Sequence, residues 1–252
     1  MKNFFTINSF CALQLYSLSA NSNYRKKFNK NNFVFIHPIY VIILASTFSS
    51  LASEIKILCT AALINNQYEM RKHEYIDCLQ RLSHFGYQPL VVESCVQGPT
   101  FLDTYATVFY SQTNNFRLKN KGVNEAISLL AAFPYYNFQD DDMIIKLTGR
   151  YYFYSDQFLK VVTQHPEIDI FVKEFSDGQM CTSCFAIRFK LLKELLTHID
   201  YSWMEHNMVN IERIFADYVN TCISHNISVK KVSMLGLKVN CFGTGNCVLM
   251  NY

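Results

Sequence analysis

Several signatures of common enzyme chemistry are missing from this chain of 252 residues. It has no GxSxG elbow, no Walker A loop and no GxGxxG turn. Those absences count against a lipase-like hydrolase, a P-loop NTPase and a typical dinucleotide oxidoreductase. HExxH is absent too, and the histidines are scattered without ligand spacing, so a dedicated zinc site is not expected. Charge is scarce: 17% of residues are charged and 50% are hydrophobic, a balance that excludes wholesale disorder. No internal repeat or low-complexity tract interrupts the chain.

Acid is absent from the first 52 residues, which hold Lys2, Arg25, Lys26, Lys27 and Lys30. The formal charge of +3 therefore misleads. Those five of the 23 basic residues leave 18 against 20 acidic ones in the remainder, a net −2. Such a remainder lacks the basic footprint of a nucleic-acid binder, and no nucleic-acid partner is expected.

The same N-terminal stretch carries the apolar run 33–48 (FVFIHPIYVIILASTF), behind the basic cluster 25–30 and ahead of Ser50, Leu51 and Ala52. Basic flank, apolar centre and small-residue exit form the secretory pattern. Extended to residue 51, the run approaches the ~20 residues that span a bilayer. Retained as a signal-anchor, it would keep its basic end in the cytoplasm. A buried strand or helix is the plainer alternative. The reading is a targeting segment over 1–52 and an α/β domain over 53–252. The domain would be secreted, periplasmic or lumenal, or held at a membrane through residues 33–51.

Nine cysteines do not settle the compartment. Seven follow Ala52, an odd number that cannot all pair within one chain. Cys181 and Cys184 have CxxC spacing but no second pair for zinc, so a structural role is expected. Cys241 and Cys247 could bridge across Gly243 and Gly245.

Beyond the targeting segment the periodicity alternates between strand and helix. Residues 55–60 (IKILCT) read as a strand. Tyr68, Tyr75, Ile76, Leu79, Leu82 and Phe85 mark one face of a helix that Gly86 terminates. Residues 89–92 (PLVV) make a second strand, parallel to the first. A helix over 123–133 and a strand over 143–147 follow, then a helix capped by Ser155 and running through 162. Strands over 169–173, 182–189 and 229–235, with helices over 190–196 and 208–223, complete a single mixed, mainly parallel sheet flanked by helices.

Open α/β sheets bind ligands beyond the carboxyl ends of their strands. Three segments are candidates there: the loop 60–67, the helix start 120–125 and the turn 146–151 (KLTGRY). In the turn, Lys146 and Arg150 form an anion clamp, Thr148 adds a hydroxyl, Gly149 permits close approach, and Tyr151 and Tyr152 offer stacking faces. The alternative is an ordinary turn whose cations pair with nearby aspartates. Asn120, Lys121, Gly122 and Glu125 open a helix whose amides favour anions; equally, Glu125 suits the helix dipole without any function. Asp140 and Asp142 could hold a hard divalent cation, or simply form a solvated turn. Glu205 and Glu212 are candidate bases.

In this order of elements the chain resembles GT-A-type glycosyltransferases over about residues 55–219. The resemblance rests on Asn120, Lys121, Gly122 and Glu125 with the helix to Phe133 and the strand 143–147, and on KLTGRY with its preceding acids. The strand Cys184 to Arg188 and the helix of Glu212 are similar to that family's acceptor side. The resemblance implies a GT-A-like fold, a nucleotide-sugar donor and a glycan, lipid or protein acceptor. Taken with the residues above, the expected donor site is Asn120, Lys121, Gly122, Glu125, Lys146, Thr148, Gly149, Arg150 and Tyr151, with Lys146 and Arg150 on the leaving diphosphate and Asp142, Glu205 or Glu212 as base. One departure stands out. The family's Asp-x-Asp, which holds Mn²⁺ or Mg²⁺, follows a strand, whereas Asp140 and Asp142 precede one. Either they reach the site from another angle, or Lys146 and Arg150 replace the metal, or the donor site has decayed. A secreted, non-catalytic binder of carbohydrate or of a protein partner is the rival reading.

Overall fold

The computed structural model describes residues 53–239. The expected targeting segment and the Cys241–Cys247 bridge lie outside the described residues. Among the described residues no helix is long and apolar enough to cross a membrane.

The chain begins with β1 (Ile55–Ala61), α1 (Tyr68–His84), β2 (Leu90–Glu93) and β3 (Thr107–Tyr110). Next come α2 (Lys121–Tyr136), β4 (Met143–Thr148), β5 (Tyr151–Phe153), α3 (Gln157–Gln164) and β6 (Ile170–Val172). The order closes with β7 (Cys184–Arg188), α4 (Phe189–His198), α5 (Tyr201–His206), α6 (Ile211–Ser224), β8 (Val229–Lys231) and β9 (Leu237–Val239). Seven strands form one sheet in the order β3-β2-β1-β4-β7-β6-β8, with β7 antiparallel to its neighbours and the other pairings parallel. This is the mixed, mainly parallel, helix-flanked sheet that the periodicity predicts. A separate ribbon, β5 against β9, was not expected, and the predicted strand 229–235 forms only over its first three residues, as β8.

The central strands are apolar on both faces because helices cover both. From β1 and β4, Ile57, Cys59, Met143, Ile145 and Leu147 pack toward α1 and α3. Leu58 and Ile144 pack the other way, beneath α2, α4 and α6. Helix α1 stops where Gly86 takes φ +85°. There the Tyr87 amide donates to Leu82 O and the Gly86 amide to Ser83 O, a pairing that satisfies the last carbonyls. Ser155 does not cap α3: Asp156 holds that position and makes no side-chain cap bond. The CxxC cysteines are both buried and unbridged.

Candidate functional site

Helix α1 connects β1 to β2 on one side, while β4 lies on the other side of β1, reached through β3 and α2. At such a switch point the loops leaving adjacent strands diverge and open a crevice at their carboxyl ends. Here the crevice is a cleft of about 580 Å³, lined from the ends of β1, β2 and β4, from α1 and α2, and from the loop after β3.

Its rim is built by side chains that satisfy loop amides. The Glu93 carboxylate, fully buried at the end of β2, accepts from the amides of Leu63, Cys95 and Val96. It thereby ties the loop after β1 to the loop after β2. Burial pushes the Glu93 carboxyl up, against the lowering effect of those amides. The Tyr75 hydroxyl accepts from the Ala62 amide at 2.8 Å. Asn124 exchanges two hydrogen bonds with the backbone of Asn115, which fastens the loop after β3 to α2. Gly149 donates to Thr60 O at 2.9 Å, and a Cβ at that position would lie 3.0 Å from both Thr60 O and the Tyr75 ring. Only glycine fits that approach without displacing backbone.

The floor is ionic. Lys146 points away from solvent, 1% exposed, toward the α2 face of β4. Its Nζ lies 2.6 Å from Glu125 Oε1 and donates to Thr148 Oγ1 at 2.9 Å and to Thr182 O at 2.7 Å. The Thr60 hydroxyl donates to the same Glu125 oxygen at 2.7 Å. Burial works to raise the Glu125 carboxyl, but the Lys146 ammonium and these hydrogen bonds outweigh it and hold the group below the ordinary carboxylate range.

The walls are cationic. Arg71, Lys121 and Arg150 all line the cleft, whereas Glu125, the one acid among its lining residues, is already paired. Arg71 is anchored by donation to Gln67 Oε1 and, at 3.5 Å, to the Tyr75 hydroxyl. Arg150 and Lys121 make no hydrogen bond or close ion pair among the described residues. Behind Arg150 sits Glu74, whose Oε2 is buried without a hydrogen-bond partner among the described residues. Burial pushes its carboxyl up, and Arg150 and Arg71 pull it back. Phe116, 71% exposed, adds an open aromatic face to the lining.

The structure thus gathers Lys121, Glu125, Thr148 and Arg150 from the predicted set around one cleft. It places the others elsewhere. Lys146 lies beneath the floor with its donors engaged, so it is no ligand clamp. Gly122 packs against Ile211 and Met204. Asn120 caps α2 and donates to Met204 O and Val209 O. Glu205 accepts from the amides of Lys119 and Asn120, and Glu212 from the Thr182 hydroxyl. Neither carboxylate lines the cleft, and Tyr151, which begins the ribbon strand β5, does not either. Asp140 and Asp142 sit at the amino end of β4, the opposite end from Thr148. Asp142 is buried and accepts from the amides of Glu54 and Gln139, while Asp140 faces Lys193 at 3.7 Å. These carboxylates fix the far edge of the sheet and do not reach the cleft.

Thr60 belongs to the candidate loop 60–67, whereas Arg71 and Phe116 lie outside every candidate segment. Arg71 had a usable signal, since the first turns of a helix following an inner strand face the crevice. Phe116 lies in a loop, where no periodicity marks it.

No family model matches the chain, and no curated protein matches it. Among solved structures it is similar to a cytidylyltransferase from Leptospira borgpetersenii serovar Hardjo-bovis (strain JB197). That likeness has 14% identity and a TM-score of 0.46, covering 72% of this chain and 77% of the other. A glycosyltransferase involved in glycosylation of the major capsid of PBCV-1 is 15% identical, with a TM-score of 0.46 and coverage of 72% and 83%. The galactosyltransferase LgtC, in complex with donor and acceptor sugar analogues, is 9% identical, with a TM-score of 0.42 and coverage of 77% and 91%.

Proposed function

We propose that the chain is a glycosyltransferase that binds a nucleotide-sugar in this cleft and moves the sugar to a glycan, lipid or protein acceptor. One observation carries the reading: three cations and an open aromatic face converge on a crevice at the switch point of the sheet. Arg150 and Lys121, which make no hydrogen bond or close ion pair among the described residues, are available to a diphosphate, and Arg71 lines the same cleft from α1. Fixed cations at a leaving diphosphate stabilise the charge that develops there as the sugar departs. Phe116 is the surface on which a base would stack.

The donor set does not fit a divalent cation. Among the described residues no group of three or more His, Cys, Asp or Glu side chains is placed to hold one. Glu125 is bound to Lys146, and Asp140 and Asp142 lie at the other end of β4. In this reading the arginines and lysine supply the positive charge. The targeting segment proposed for residues 1–52 would place the domain in a lumenal or secreted space.

The test is calorimetric titration of UDP and GDP into the full chain and into Arg150→Ala. Arg150 makes no hydrogen bond or close ion pair among the described residues, so the variant should still unfold cooperatively and lose about tenfold or more in affinity. Equal affinity in both proteins would remove Arg150 from the site. A non-catalytic binder is the second reading, favoured because Glu125, already paired, is the only carboxylate lining the cleft among the described residues. Sugar release or transfer from a bound nucleotide-sugar distinguishes the enzyme from the binder.

A further inference from the structure

The floor of the cleft carries a charge of the wrong sign for a phosphate. Glu125 lines the cleft with a quarter of its side chain exposed, whereas its partner Lys146 is sealed beneath. The distribution of its hydrogen bonds is lopsided. Lys146 Nζ at 2.6 Å, Thr60 Oγ1 at 2.7 Å and Thr148 Oγ1 at 3.4 Å all converge on Oε1. Among the described residues none donates to Oε2. The side chain is held in place through one oxygen and presents the other.

We propose that Glu125 Oε2 accepts a hydrogen bond from a hydroxyl of the ligand, so that the cleft selects a phosphate ester of a sugar over a bare polyphosphate. An ionised carboxylate is acceptor-only and repels phosphate oxygens. Its natural partner is an O–H, and the bond is charge-assisted. Lys146 keeps the group ionised from a position no ligand reaches. The cationic walls then take the phosphates, and the anionic floor takes a hydroxyl, within one crevice. A cleft meant for phosphate alone gains nothing from a carboxylate between Arg71, Lys121 and Arg150. The inference rests on the anion-binding reading of the same cleft. The hydroxyl has two sources, the ribose of a nucleotide or the transferable sugar, and the chemistry at Oε2 is the same for both.

The test is titration of inorganic pyrophosphate, UDP and UDP-glucose into the full chain and into Glu125→Gln/Lys146→Met. The double substitution removes both charges together, so no buried charge is stranded, and its unfolding transition is checked alongside. Pyrophosphate affinity should hold or improve in the variant. Affinity for a hydroxyl-bearing ligand should fall about tenfold, the difference between a charge-assisted and a neutral hydrogen bond. A loss already present with UDP assigns the ribose, and a loss confined to UDP-glucose assigns the sugar. An equal shift for all three ligands, or none, overturns the role of Glu125 while leaving the cationic cleft standing. Failure of every ligand to bind the unmodified chain overturns the anion-binding reading and this inference with it.

Discussion

Lys146→Met is the most demanding single test of the floor. The two side chains are similar in length, so packing is nearly preserved and the change is electrostatic. Lys146 is 1% exposed and serves three acceptors: Glu125 Oε1, Thr148 Oγ1 and Thr182 O. Its removal strands the Glu125 charge beside an apolar layer and leaves the Thr182 carbonyl without that donor. Breaking a buried ion pair from one side costs roughly 3–5 kcal/mol. Glu125 is a quarter exposed, which places this case at the lower end, about 3 kcal/mol. For a domain of this size that corresponds to a drop in melting temperature of about 6–12 °C. Adding Glu125→Gln should recover most of the loss, because the stranded charge is gone; the unpaired carbonyl accounts for a residual ~1 kcal/mol. Urea unfolding of the four proteins of the cycle measures the coupling directly. A Lys146→Met variant within about 0.5 kcal/mol of the parent would refute the reasoning, as would strictly additive single and double changes.

Two further perturbations address the rim. Gly149→Ala places a methyl 3.0 Å from the Thr60 carbonyl and the Tyr75 ring, where backbone on one side cannot yield. It should cost about 1–3 kcal/mol in chemical denaturation and weaken ligand binding, and a neutral result would show that the turn can open. Glu74 supplies a pH signature. Burial raises its folded-state pKa above the ordinary 4.5, so its contribution to stability is present below 4.5 and is lost as pH rises through the folded value. Glu74→Gln should therefore gain stability relative to the parent on going from pH 4.5 to pH 7.5. A difference that stays flat across that interval would show that Arg71 and Arg150 fully compensate the charge.

The elements that could be read from the sequence are those whose signal is local and repeated. In α1 the apolar residues recur over four turns and Gly86 ends them, so the helix and its stop were both evident. The central strands 55–60, 89–92 and 143–147 are apolar runs broken only by Lys56, Thr60 and Lys146, as befits strands covered on both faces. What escaped is short or depends on a distant partner. Strand β3 has four residues at the edge of the sheet, and Thr107 opens it without an apolar pattern. Strands β5 and β9 have three residues each, and they pair across more than eighty intervening positions. The site follows the same logic. Arg150, Lys121 and Thr148 adjoin a strand end or a helix start, where the chain must face the crevice. Lys146 was misjudged although alternation places it correctly. It shares a face with Ile144, and both lie beneath α2, so a lysine there needed a buried counter-charge rather than a ligand. Arg71 was hidden in the polar run 71–74 of α1 (Arg, Lys, His, Glu), whose four residues circle the helix.

That correction also changes what α2 does. A helix start next to a crevice invites a phosphate onto its free amides. Here the chain itself uses the first turn: the Asn120 side chain accepts from the Gly122 amide, and Glu205 takes the amides of Lys119 and Asn120. Asn120 and Glu205 further tie this end to the segment around α5, so the helix enters at a fixed angle. The fifth residue, Glu125, then lies about 6 Å along the axis from Lys121. That displacement carries its carboxylate past the rim to the gap between β1 and β4, where Thr60 and Lys146 receive it from the two strands. The helix thus delivers an acceptor to the floor instead of amides to a phosphate. In the proposed reading anion recognition falls to Arg71, Lys121 and Arg150, which line the cleft from three separate segments. A ligand that meets all of them must therefore carry its phosphates and its hydroxyl on different parts of one molecule.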